Sequence, residues 1–92
     1  MSEPINESET LPQIDFGTFV MSLATSALVH LGEVKHPNAS EEHRSLPMAK
    51  QTIDILGMLR ERTRGNLTKE EGELLEQLLL DLRMKYVAAN KR

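Results

Sequence analysis

Ser26 and His30 stand one helical turn apart, a spacing that would let an imidazole take the proton of a serine hydroxyl. The rest of a nucleophilic site is missing from the sequence. Nothing nearby supplies an oxyanion hole, and i, i+4 neighbours are common on any helix. His30 therefore reads as a helix-interface side chain bonded to a hydroxyl or a carbonyl. Thr52 is the candidate member of the same buried polar network, or else a hydroxyl bonded back to the carbonyl one turn earlier. A second cluster, His36, Glu41, Glu42 and His43, has the side-chain types that ligate zinc. Its spacing fits no established closed site, so no metal or cofactor is expected. Arg60, Arg62, Arg64 and Lys69 form a third group, a weak basic patch of the kind that contacts phosphate or RNA. Glu61, Glu70 and Glu71 dilute it, and no neighbouring aromatic residue offers a stacking surface for a base. The plainer reading is favourable positive charge at the C-terminal end of a helix. The chain has no phosphate-binding glycine loop, dinucleotide fingerprint, HExxH or nucleophile elbow. No catalytic residue is assigned, and the chain is not expected to be an enzyme.

The elements that must position these residues follow from apolar periodicity. From residue 16 to residue 32 there is no charged side chain, in a chain where roughly one residue in four is charged. Asp15 makes a good N-cap for this segment, with Ile14 and Phe19 spaced as a hydrophobic staple. Phe16, Phe19, Val20, Leu23, Ala24, Ala27, Leu28 and Leu31 follow at the helical period, and Gly32 is the stop signal. The other face holds Thr18, Ser22, Thr25 and Ser26, with Met21 and Val29 off the main stripe. A helix facing water would carry Lys and Glu there. Small uncharged residues instead suggest a second packing surface. Residues 33–46 read as a long polar connection, and Pro47 suits the first turn of a second helix. Its apolar face is Met48, Ala49, Thr52, Ile53, Ile55, Leu56 and Leu59. Gly65 suits a left-handed helix end, and Thr68 with Glu71 forms a capping box. The short turn makes helices two and three an antiparallel hairpin. The third helix, 69–89, has a main stripe of Leu74, Leu75, Leu78, Leu79, Leu82 and Tyr86. A second stripe, Leu80, Met84 and Val87, lies on nearly the opposite side.

The whole-chain balance narrows the function further. Ninety-two residues make one small domain, a size at which burial is limited. No cysteine is present, so disulfides and thiolate sites are excluded, and the composition fits a reducing compartment. A net charge of −3 provides no overall basic field for nucleic acid or acidic lipid. Residues 1–13 read as a disordered acidic tail without the positive start of a secretory signal. Residues 14–89 form the helical domain, and 90–92 a basic C-terminal end. The uncharged run spans about 25 Å as a helix, short of the roughly 30 Å hydrocarbon core, so no membrane span is expected.

The segments FVMSLATSALVHLGE, LPMAKQTIDILGMLRERTRGNLTKEE and LLEQLLLDLRMKYV resemble the bacterial family known as domain of unknown function 1844 (DUF1844). The resemblance covers residues 16–87, and its SALVHLGE and TRGNLTKEE strings are more specific than a leucine pattern. It implies a small helical bacterial, cytoplasmic protein and brings no activity, cofactor or catalytic residue with it. The expectation is an all-α fold of three helices, completed by oligomerisation. Its function would be that of a self-associating protein-interaction module. Thr18, Ser22, Thr25, Val29, Leu80, Met84 and Val87 are the candidate interaction surface. The expected partners are the protein itself, first as a homodimer, and another protein; nucleic acid is not expected. Two alternatives stand beside this reading. One is an RNA- or ribosome-associated factor using the basic turn, and the other a binder of a small molecule between subunits near His30.

Overall fold

A computed structural model describes residues 13–33 and 44–91. The acidic tail up to residue 12 lies outside the described residues, as does the segment 34–43 with His36, Glu41, Glu42 and His43. The described residues form three helices and no strand: α1 (Phe16–Leu31), α2 (Leu46–Arg62) and α3 (Lys69–Asn90). The fold is all-α.

Each helix starts where a side chain can accept from its unpaired backbone N–H groups. The Asp15 carboxylate accepts from the Thr18 N–H at 2.7 Å. Ser45 Oγ accepts from the Met48 N–H at 3.2 Å. α2 thus begins at Leu46, with Pro47 inside its first turn. The capping box on α3 is reciprocal. Thr68 Oγ1 accepts from the Glu71 N–H at 3.1 Å, and Glu71 Oε1 accepts from the Thr68 N–H at 2.9 Å. α1 ends at Gly32, whose φ of 81° is left-handed. A Cβ there would lie 2.7 Å from Arg44 Nε, the end of a flexible side chain that can shift, so it is the left-handed backbone that calls for glycine. α2 ends differently from the sequence expectation. Thr63 is its cap, and Gly65 (φ 86°) lies two residues further on, within the turn.

The core is built from one stripe per helix. Val20, Ala24, Ala27 and Leu31 come from α1 and Ala49, Ile53 and Leu56 from α2, while Leu75, Leu79, Leu82 and Ala89 come from α3. Leu56, Leu75, Leu79 and Leu82 are fully enclosed, and each contributes about 1.5–3 kcal/mol by leaving water. The alanines of α1 let it lie close against the other two helices, and α1 packs on both. Along α2 and α3 the neighbours step in opposite directions. Arg60 bonds Glu76, Gly57 lies beside Arg83, and Ile53 shares a depression with Tyr86 and Val87. Several expected core positions, Leu23, Leu59 and Leu78 among them, are only half-buried, and two are exposed, Phe19 at 43% and Met48 at 47%. Both stand at the margin of their stripe, where the three-helix packing leaves no neighbour to cover them. Ile14 is 72% exposed, so the expected staple with Phe19 shields little apolar surface.

Candidate interaction surface

Leu80, Met84 and Val87 project from α3 on the side turned away from Leu75, Leu79 and Leu82. Their spacing of four and three residues puts them on one line of the helix. They are 64%, 63% and 51% exposed, three large apolar side chains in a row on a small protein. The line borders two shallow depressions that share Arg83. One is shared by Leu80 with Arg60, Glu76 and Arg83, and another by Met84 and Val87 with Arg83, Ala88 and Lys91. Arg83 runs between them. Its guanidinium lies 3.1 Å from where a Cβ on Gly57 would stand, so the glycine gives it room to lie along α2.

The outer face of α1 is the second part of the surface. Ser22 and Thr25 are exposed, and Thr18 and Val29 half-buried. Ser26 and Met21 are exposed beside them. Ser22 Oγ donates to the Thr18 carbonyl at 3.0 Å, so this hydroxyl is satisfied within its own helix. A hydroxyl bonded in this way can be covered by another surface with a smaller desolvation cost.

The other sequence candidates fall elsewhere. Thr52 is buried, and its hydroxyl donates to the Met48 carbonyl at 3.0 Å. His30 is half-buried in the last turn of α1, and its carbonyl accepts from the Ser45 N–H at 2.9 Å, joining the end of α1 to the start of α2. Of the basic patch, two members are engaged by carboxylates. Arg60 Nη1 donates to Glu76 at 3.2 Å, tying α2 to α3. Arg64 donates to both Glu61 oxygens at 2.8 Å. The Arg64 bond holds the Glu61 carboxyl below the usual carboxylate range. Arg62 and Lys69 are exposed. The Arg60–Glu76 bond was not legible in the sequence, since sixteen residues separate its partners. Among the described residues no three His, Asp or Glu side chains gather where one metal ion could be held. No helix of the described residues is long and apolar enough to cross a membrane.

These features define a class: an all-α protein whose described residues form three helices, with a line of outward apolar side chains on α3. The chain belongs to the family described as "Domain of unknown function (DUF1844)", which it matches over residues 13–88. Neither the comparison with curated proteins nor that with solved structures gave a match.

Proposed function

We propose that the protein is a non-catalytic, self-associating helical module that acts in the bacterial cytoplasm by binding another protein. The observation that carries this reading is the exposed line Leu80, Met84 and Val87. Three adjacent large apolar side chains gain nothing in water, and a contiguous exposed patch of this kind marks an interaction surface. The uncharged outer face of α1 supports a second contact, on a different side of the bundle. Two faces allow one to join copies while the other receives a partner protein. The engagement of Arg60 and Arg64 by Glu76 and Glu61 argues against the turn as a phosphate-binding surface. Light scattering of wild type against the double variant L80E/M84E tests the proposal. The wild type should form an assembly that the variant loses while keeping its helical circular dichroism. An unchanged mass in the variant would remove this stripe from the reading.

A further inference from the structure

The apolar line on α3 is the middle of a longer seam. Continued in both directions at the same alternation of four and three residues, it reads Glu73, Gln77, Leu80, Met84, Val87, Lys91. That alternation is the spacing of a coiled-coil contact line. All six residues are exposed. Lys91 caps α3 with right-handed helical backbone angles, so the line continues to it unbroken.

The seam is balanced about its middle. Glu73 lies nine residues before Leu82, and Lys91 nine after it. Gln77 and Val87 are equally placed, as are Leu80 and Met84. One end is acidic and the other basic, with the apolar side chains between them. Such a line is complementary to itself when a second copy runs in the opposite direction.

We propose, building on the self-association argued above, that two copies pair α3 against α3 in antiparallel register about a two-fold axis level with Leu82. Leu80 packs on the partner's Met84, and Met84 on the partner's Leu80. Gln77 lies opposite the partner's Val87. Glu73 meets the partner's Lys91, and by symmetry Lys91 meets the partner's Glu73, closing both ends with opposite charges. The antiparallel arrangement also brings the N-terminal end of each α3 beside the C-terminal end of the other, as helix dipoles favour. Exposed ion pairs add little affinity, so the end pairs fix direction and register while the apolar centre supplies the attraction. A parallel pairing would place Glu73 on Glu73 and Lys91 on Lys91, repulsive at both ends. Beside the centre, the Asp81 charge is paired within its own chain and Arg83 is turned toward α2. Asp81 accepts from Lys85 at 2.6 Å, and Arg83 lies along α2 beside Gly57. The uncharged outer face of α1 has no comparable end charges to select a direction.

The chain has no cysteine, so an introduced thiol is the only one present. The test uses the full-length variants E73C and K91C, separately and mixed after subunit exchange, treated with a short bismaleimide. In a mixed pair one end brings the two thiols together while the other keeps a native Glu73–Lys91 contact. Within either variant alone, antiparallel pairing holds the two thiols about 27 Å apart along the helix, beyond the reagent. The expected result is cross-linked dimer in the mixture and only background in each variant alone. Cross-linking within one variant alone would mean parallel pairing and overturn the proposal. No cross-link in the mixture, with light scattering showing the assembly intact, would overturn this register but leave self-association standing. A monomeric wild type would overturn both.

Discussion

Asp15 shows how one side chain sets the start of α1. Its carboxylate is held below its usual value, first because it accepts from the Thr18 backbone N–H. A depressed folded-state value means that the ionised form favours the folded protein. That contribution is present above the ordinary value of 3.8 and disappears as pH falls through the depressed one. Asp15→Asn keeps an oxygen acceptor but does not titrate. The thermal midpoint of wild type relative to D15N should therefore fall as pH drops below the usual carboxylate range, in scans from neutral pH to strong acid. A constant difference would show that the bond carries no linkage. Thr68 at the start of α3 is a neutral counterpart. Thr68→Ala removes the acceptor for the Glu71 N–H and should cost about 1 kcal/mol, or about 4–8 °C in thermal midpoint at fixed protein concentration. An unchanged midpoint would mean that water replaces the cap without loss.

At the scale of the elements, the helices and their inner stripes were legible because burial imposes a period on the apolar residues. Val20, Ala24, Ala27 and Leu31 follow it on α1, as do Leu75, Leu79 and Leu82 on α3. The caps Asp15, Gly32 and Thr68 were legible as well, since each has a specific backbone bond or dihedral to satisfy. The start of α2 was less clear. Pro47 was the more conspicuous signal, although Ser45 is the residue that accepts the first N–H. The exposure of Phe19 and Met48 could not be read from spacing, because it depends on where the third helix stops covering the stripe. On the candidate surface, Leu80, Met84 and Val87 were legible as a line of apolar residues. Its extension to Glu73, Gln77 and Lys91 was not, because hydrophobic periodicity ignores polar and charged residues at the ends of a seam. Packing of the inner stripes dominates stability. Leu56→Ala should cost about 2–5 kcal/mol in denaturant unfolding, since Leu56 is fully enclosed and its loss leaves a cavity. A cost well below that range would mean that the helices collapse onto the space.

For the whole molecule, the inner stripes bring three helices together but leave the outer line of α3 uncovered. A chain of 92 residues has limited burial of its own, so covering that line is the most direct way to extend its core. Replacing Leu80 and Met84 with glutamate puts two charges at the centre of the proposed contact. On a free surface that change should cost within about 0.5 kcal/mol. At a subunit contact it should lower the particle mass to that of a single chain. Simultaneous loss of helicity would show that the chain folds only with its partner, a linkage in which the melting temperature rises with protein concentration. The mass of the wild-type particle decides whether the protein self-associates. Sedimentation equilibrium at tens of micromolar should give about twice the 10.4 kDa of one chain. A particle of 10.4 kDa under those conditions would mean that the protein is a monomer and does not self-associate.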